Sequence, residues 1–490
     1  MVAQIVGYLY TGTLIGLAFY ALHIIALIML YLHHRRERPP VTPQIPEAEL
    51  PVVTVQIPLR NERYVARRIL AAVAAFDWPR ERLEIQVLDD SDDDTTALLE
   101  AEVERLQAEG YDIHLLHRAH PTGHKAGALA AGLRQARGEY VAIFDADFAP
   151  APDFLRRTVP HLIANPRLGF VQTRWGHLNA EYSLVTRAQA LALDAHFTVE
   201  HIARNRSGLL MNFNGTAGVW RRRAIEEAGG WQHDTVAEDL DLSYRAQLVG
   251  WQVLYLPDVV APAELPPLVA AFRQQQYRWA KGATQVLRKL SGTIVRSPRL
   301  KFSQKVMALL HLSGYLTQPL ILMLVLLSAP LALYTPHVPV VVAALGMLTM
   351  LPPLLYVIGQ AALYRDWPRR ILVYPFLMVL GIGISWNTTL GVLDGWLHRG
   401  GEFKRTPKFE LRGRQGNWRE TQYRIKPDKA LPGEIIISVY ALTALILAYK
   451  LKRSSMMPFS IMTLLGEALM LWGALQQLPG RFKDKKEQGR

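Results

Sequence analysis

Four polar clusters carry the chemistry of this 490-residue chain: VLDDSDDDT at 87–95, IFDADF at 143–148, TVAEDLDLSYR at 235–245 and FRQQQYRWAKG at 272–282. Asp89 and Asp90 close an apolar run, so both are expected to face a crevice beyond the end of a strand, whereas Asp93 and Asp94 suit the start of a helix, where acids are favoured. A calcium loop starting at Asp90 fails, because Thr95 stands where the sharp turn needs glycine and Ala101 where the last carboxylate should be. Asp145 and Asp147 lie two residues apart, a spacing that in extended chain turns both to one side and lets one cation be reached by either. With no cysteine in the chain, ligands are oxygen or histidine. Oxygen ligands imply a hard ion, Mg²⁺ or Mn²⁺, of the kind that binds a substrate's phosphate oxygens, which points to a nucleotide diphosphate.

Glu238, Asp239 and Asp241 precede a helix pattern. One of them could serve as general base toward a hydroxyl, or the group could be an acidic helix cap; the residues alone leave both open. FNGTAG at 213–218 offers glycines for close backbone approach to a ligand or for a tight turn. Amide, guanidinium and indole groups, as in FRQQQYRWAKG, hold sugars and phosphates through fixed donors and a flat apolar face. An amphipathic basic helix on a membrane would need only the arginines, lysine and aromatics and leaves the glutamine run unexplained. His196 and His201, five apart, fall on different faces of a helix, which argues against a shared metal and assigns them to structure.

These clusters need a scaffold. Short β-branched runs (VVTVQIP from Val52, LEIQVLD from Leu83, IHLLH from Ile113, YVAIFDA from Tyr140) alternate with helical patterns near 62–76, 93–108 and 125–137. Such alternation predicts an α/β domain with parallel strands. Ligands of such sheets sit beyond the carboxyl ends of the strands, where Asn61–Glu62, DDSDDD and DAD fall. No GxxxxGK[ST] and no strand-linked GxGxxG occurs, so ATP hydrolysis and hydride transfer lose support.

The rest of the chain is apolar. Hydrophobic residues make up 50% of it and the formal net charge is +13; lysine and arginine beside apolar spans follow the positive-inside rule, so nucleic acid is not the expected partner. Residues 5–32 are long enough to span a bilayer and are followed by HHRRER. Further apolar spans run at about 306–334, 338–364, 371–397, 432–449 and 456–478. The stretch 371–397 carries Asn387 and Asp394 and precedes ten Lys or Arg at 398–431, with five more in the tail 481–490. Keeping those charges inside makes 371–397 an interfacial helix and leaves five spanning helices. The expected organisation is a membrane helix at 1–35, a proline-rich linker at 36–50, a cytoplasmic α/β domain at 51–265, amphipathic interface helices at 266–303 and a membrane region at 304–490.

The DD, DxD, ED and QxxRW series, in this order, resembles the membrane-embedded family-2 glycosyltransferases of the cellulose, chitin and hyaluronan synthase class. Through VLDDSDDDT, HKAGAL, AIFDADFAPAPDFL, VQTRWGHLNA, FNGTAGVWR, EEAGGW and QQYRW it is most similar to the plant cellulose-synthase-like A branch, the glucomannan 4-β-mannosyltransferases. The resemblance covers about residues 50–300. It implies a GT-A (Rossmann-like) glycosyltransferase domain inserted in a transmembrane helical bundle. It also implies that Asp90 contacts the nucleotide base, with Pro58, Arg60, Glu62 and Lys125 lining the nucleotide pocket, that Asp145 and Asp147 hold the diphosphate through the metal, and that Asp239, beside Glu238, is the base. Gln275, Arg278 and Trp279 would close the site, Arg278 toward the leaving pyrophosphate and Trp279 on the acceptor sugar. Phe213, Asn214, Gly215 and Thr216 resemble the acceptor-side finger-loop region. FKRTPK at 403–408, in the segment 398–412, is similar to the FxVTxK gating loop of cellulose synthases, with Phe403, Thr406 and Lys408 in place and Arg405 in the position of valine; Ala237 stands where many relatives have threonine.

Residues and resemblance together predict an inverting, metal-dependent hexosyl transfer from UDP-glucose or GDP-mannose to a growing β-linked glycan, by a multi-pass protein of the plasma (inner) membrane in contact with its lipids. Two rivals make other predictions. A single transfer to a lipid acceptor needs a lateral, lipid-facing opening; a transporter with a nucleotide-sensing domain needs charges along its spans, where Glu467 stands nearly alone.

Overall fold

Seven strands form one mixed sheet in the computed structural model, which describes residues 1–334, 340–401, 405–421, 423 and 430–477. The four predicted strands are β1 (Val53–Leu59), β2 (Leu83–Asp89), β3 (Asp112–His117) and β4 (Tyr140–Ile143). They are joined through α2 (Arg63–Ala74), α3 (Thr95–Ala108) and α4 (His124–Gln135), after a first long helix α1 (Val2–His34). Next along the chain come α5 (Phe154–Ala164), β5 (Leu168–His177), α6 (Leu184–Ala195), a π turn at His196–Glu200 running into α7 (His201–Arg206), β6 (Gly218–Arg221), α8 (Arg222–Glu227), α9 (Glu238–Val249) and β7 (Gln252–Ala263). The spatial order is β3-β2-β1-β4-β6-β5-β7, parallel except that β6 runs against both β4 and β5.

Both faces of the sheet are covered, so the polar residues that alternate along β1 and β2, Thr54, Gln56, Glu84 and Gln86, are buried as fully as their apolar neighbours. On one face α2, α3 and α5 contribute Ile69, Val103 and Val159 to a core around Val55, Ile57 and Phe144. On the other, α4, α8 and α9 pack Leu129, Ile225 and Leu242 around Val141, Phe170 and Trp220.

Register decides what meets at the carboxyl edge. Leu59 pairs with Asp89 and Asp89 with His117, so Arg60, Asp90 and Arg118 emerge side by side. Because β6 is antiparallel, its entry is at that same edge: Gly218 pairs with Ile143 and the Ala217 amide donates to the Ile143 carbonyl at 2.8 Å. A reversed strand thus brings FNGTAG beside DAD.

The remaining helices are α10 (Val269–Arg296), α11 (Phe302–Leu312), α12 (Thr317–Leu333), α13 (Val340–Leu348), α14 (Pro353–Leu363), α15 (Trp367–Arg370), α16 (Tyr374–Gly383), α17 (Ser385–Leu397), α18 (Leu431–Lys450) and α19 (Met457–Leu475). Five segments among the described residues are long and apolar enough to cross a membrane: Val2–His34, Gly314–Leu333, Gly346–Leu363, Leu431–Lys450 and Ser454–Leu475. The expected span at 306–334 is shorter than its apolar run, because α11 ends at Leu312 and stands apart from α12. The stretch 371–397 is not one interfacial helix. Trp367–Gly383 and Ser385–Leu397 meet at a bend of 50°, and together they would count as a sixth span. After the bend α17 lies along α10 at close quarters: a Cβ at Gly391 would sit 2.7 Å from the Tyr277 carbonyl oxygen, and one at Gly395 2.5 Å from that of Lys281. The tail 481–490 lies outside the described residues.

Candidate active site

Beyond the carboxyl edge of the sheet opens one cavity, and the expected residues Pro58, Arg60, Glu62, Asp90, Lys125, Asp145, Asp147, Asn214, Gly215, Glu238, Asp239, Gln275, Arg278, Trp279, Thr406 and Lys408 all line it. The strand-end rule therefore brings the expected residues to one cavity, although the local geometry differs from the expectation at several positions.

The first difference is at DDSDDD. Successive residues at a strand end point to opposite sides, so Asp90 faces the cavity while Asp89 does not. Asp89 is fully buried and accepts from the Ser91 amide at 3.0 Å and the Thr96 hydroxyl at 2.7 Å, with His117 Nδ1 at 2.8 Å. Asp90 is held bidentately by Arg118, Nε to Oδ1 at 2.7 Å and Nη2 to Oδ2 at 2.5 Å. Asp93 accepts from the Thr95 amide at 2.9 Å at the start of α3, the helix-start role its position suggested.

The DAD segment is not extended. β4 stops at Ile143, and a turn succeeds it in which the Phe148 amide donates to the Asp145 carbonyl at 3.1 Å. The turn still delivers both carboxylates to the cavity, each with an ammonium on it: Lys125 Nζ lies 2.5 Å from Asp145 Oδ1, and Lys408 Nζ 2.5 Å from Asp147 Oδ2. Burial pulls the Lys125 pKa down, but Asp145 and then Glu238 outweigh it and the net direction is up. No group of three His, Asp or Glu poised around a metal occurs among the described residues. Two carboxylates already carrying positive charge fit a hard cation that takes its other ligands from diphosphate oxygens and water.

At TVAEDLD the choice between cap and cavity resolves. Ala237 is the N-cap of α9 and no side chain caps the helix. Glu238 and Asp239 face the cavity, whereas Asp241 turns away to Arg245 and Lys289, at 2.8 and 2.9 Å. Burial, and then the charge of Asp239, push Glu238 up to about 7. Burial raises Asp239 as well, against the pull of Lys125. A raised carboxyl beside a reacting hydroxyl is suited to proton transfer near neutral pH. Gly215, at φ +81°, lies so close that a Cβ there would stand 2.8 Å from Asp239 Oδ2.

Of the four residues expected in the finger loop, two reach the cavity. Asn214 and Gly215 line the cavity; Phe213 is fully buried among Phe170 and Trp220, and Thr216 lies behind the wall, where its hydroxyl accepts from the Asp145 amide at 2.9 Å. The contribution of Phe213 and Thr216 is to hold the neighbouring turn, not to touch a sugar.

α10 divides its polar residues by face. Gln275, Arg278 and Trp279, at helical i, i+3 and i+4, meet the cavity. The other side anchors the helix to the apolar half: Arg273 pairs with Glu434 at 2.6 Å, Tyr315 donates to Gln276 at 3.2 Å, and Tyr277 and Lys281 reach Asp394 at 2.7 and 2.8 Å. The glutamine run therefore does not serve one ligand. Burial lowers the Arg278 pKa, opposed by Glu238, Asp145, Asp239 and Asp147, so its guanidinium lies within the field of all four acids. Gly282 permits the approach of α10 to α9, since a Cβ there would be 2.6 Å from the Ala237 Cβ.

The segment after 404 closes over the site. Phe403 lies outside the described residues. Arg405 Nε is 3.2 Å from Glu62 Oε1, its Nη1 donates to the Arg60 carbonyl at 2.9 Å, and its guanidinium carbon stands 4.6 Å from the Tyr423 ring centroid. Glu264, just past β7, accepts from the amides of Phe409 and Leu411 at 2.7 and 3.2 Å. Sequence reasoning missed Arg118 and Glu264. Both come directly after strand ends, so the rule that found Asp90 could have found them.

Residues 51–282 match the family model described as glycosyltransferase like family 2. Among curated proteins, the chain is 46% identical over 267 residues to glucomannan 4-β-mannosyltransferase 2 of Arabidopsis thaliana, covering 54% of this chain and 50% of that protein. To glucomannan 4-β-mannosyltransferase 1 of Oryza sativa subsp. japonica it is 45% identical over 268 residues, 54% of this chain and 51% of that one. The match thus spans about half the length of these relatives. Among solved structures, the mannosyltransferase PcManGT from Pyrobaculum calidifontis, in complex with GDP-Man and Mn²⁺, superposes with a TM-score of 0.53 at 22% identity, over 78% of this chain and 99% of that one, and shares the fold.

Proposed function

We propose, from the premise that residues 51–282 form a family-2 glycosyltransferase domain, that the chain transfers a hexose from a nucleotide diphosphate sugar to a growing β-linked glycan with inversion at the anomeric carbon. The observation that carries this reading is the convergence of Asp90, Asp145, Asp147, Glu238, Asp239, Arg278 and Trp279 on a single cavity. Relatives named for 4-β-mannosyl transfer favour GDP-mannose over UDP-glucose as donor.

In this reading Pro58, Arg60, Glu62 and Asp90 hold the nucleotide, Asp90 through the face left by its Arg118 pair. Asp145 and Asp147 would hold Mn²⁺ or Mg²⁺, which supplies charge neutralisation on the diphosphate. Asp239, with Glu238 beside it and its own pKa raised by burial, takes the proton of the acceptor hydroxyl as that oxygen attacks the anomeric carbon. Arg278 stabilises the departing diphosphate, a charge that develops in the transition state. Trp279 and Gln275 present a flat apolar face and an amide to the acceptor sugar, and Thr406 and Lys408 cover the donor side. One displacement means one inversion, so an α-linked donor gives a β-linkage. Five candidate spans and the basic stretch at 398–431 support a multi-pass membrane protein with this domain on the cytoplasmic side, and the plasma membrane is the location we propose for it.

The test is incubation of the protein in nanodiscs with radiolabelled GDP-mannose or UDP-glucose and Mn²⁺ or Mg²⁺, with products digested by linkage-specific hydrolases. Label should enter a β-linked product, and Asp239→Asn should lower its formation about 10²- to 10⁴-fold, the usual range for removing a general base. Absence of incorporation from either donor, or an unimpaired Asn variant, counts decisively against the assignment.

A further inference from the structure

A spacing of five puts two side chains on different faces of an α-helix, yet the imidazoles of His196 and His201 lie 4.3 Å apart, centroid to centroid. The cause is the π turn at His196–Glu200, whose i→i+5 pitch brings the two into register. Such turns are uncommon and concentrate where an altered register is put to use.

Both rings address one side chain, the carboxamide of Asn214. His201 Nε2 is 2.7 Å from Asn214 Oδ1, and Asn214 Nδ2 is 3.3 Å from His196 Nε2. An amide oxygen only accepts and an amide nitrogen only donates. His201 therefore carries its proton on Nε2 and His196 on Nδ1, where Glu200 Oε2 accepts at 2.8 Å. The Asn214 amide N–H donates to Gln172 Oε1 at 2.9 Å, so the residue is fixed on three sides.

Next to Asn214 in the turn, Gly215 touches the catalytic groups. Its carbonyl accepts from Lys125 Nζ at 2.8 Å, and a Cβ added to it would stand 2.8 Å from Asp239 Oδ2. Behind the histidines the same network continues into the membrane half: Glu200 Oε1 accepts from Arg204 Nε at 2.9 Å, and Arg204 Nη2 is 3.0 Å from His23 Nε2 in α1. Neither the two histidines nor Glu200 and Arg204 take part in the transfer chemistry described above.

We propose that His196 and His201 are positioning residues for glycosyl transfer, a clamp on the Asn214 carboxamide that holds the Asn214–Gly215 turn against Asp239 and Lys125. The clamp rests on the glycosyltransferase reading of the cavity. It acts on the placement of the base and not on the nucleotide, whose expected contacts lie on other loops.

The full-length chain in nanodiscs allows the test, with kcat, donor KM, the Kd of GDP and the thermal midpoint read for each variant. His201→Leu removes the donor to Asn214, whereas His201→Gln keeps an N–H within reach of the same oxygen. A misplacement of this order costs about tenfold to a hundredfold in kcat, so His201→Leu should lose at least about tenfold with the GDP Kd within about twofold of the parent, and His201→Gln should recover most of that loss. Equal kcat in His201→Leu and the parent overturns the clamp, as does a Gln variant that falls as far as Leu. Should His201→Leu not fold, His196→Asn decides: it retains a group for Glu200 but none for Asn214, and an unchanged kcat there overturns the proposal. Parent protein that transfers no sugar sinks the glycosyltransferase reading and the clamp with it; active parent beside an equally active His201→Leu sinks the clamp alone.

Discussion

Glu62 illustrates what a binding cavity demands of a single side chain. Burial pushes its carboxyl from the ordinary 4.5 up to about 7, against the pull of Arg405. The folded ligand-free protein thus binds this proton more tightly than the unfolded chain does, so the stability it contributes is fully present below about pH 4.5 and is lost as pH rises through about 7. Glu62→Gln abolishes the effect. Measured by thermal midpoint without nucleotide, the variant should gain on the parent progressively from pH 4.5 to 7 and hold a constant lead above that; parallel profiles would contradict the assignment. Residue identity was legible where a rule of strand ends applied, as at Asp90, Asp145, Asp147 and Glu62. It was not legible where the partner decides the role: Asp89 and Asp90 are the same residue type in adjacent positions, and only the pleat and Arg118 separate a turn-former from a cavity wall.

Elements place these residues through close backbone approach. α10 presents Gln275, Arg278 and Trp279 to the cavity only because Gly282, one turn on, lets it rest on Ala237 at the start of α9. Gly282→Ala should push the two helices apart and lower kcat by about tenfold, in line with the cost of small misplacements. Ala237→Gly in the same chain should return part of the loss, a coupling that a double-mutant cycle resolves; additive effects would show that the two residues do not share this contact. Alanine at 237, where many relatives of the expected class carry threonine, is compatible with so short an approach. The strands β1 to β4 and their helices were readable from periodicity because each is a local pattern. The reversed β6, the π turn after α6 and the 50° bend before α17 were not, since each depends on what the segment packs against. Spacing alone put His196 and His201 on different faces for that reason.

At the scale of the whole molecule, the sheet and the apolar helices are joined through α10, whose opposite faces meet the cavity and the buried Glu434. The proposed orientation places the turn after α18 outside and the α/β domain inside. A chain with no cysteine makes this simple to check, since an introduced thiol has no background. In intact cells Lys450→Cys should react with a membrane-impermeant maleimide, whereas His120→Cys, on an exposed loop of the α/β domain, should react only after permeabilisation; the reverse pattern would invert the topology. The two lysines on the DAD turn have a wider consequence. With Lys125 seated on Asp145 and Lys408 on Asp147, an arriving cation finds neither of these two acids bare, so its seating on the turn is a substitution of one positive partner for another. Entry at this turn is then set by the ease with which the two ammonium groups, and the loop bearing Lys408, let go.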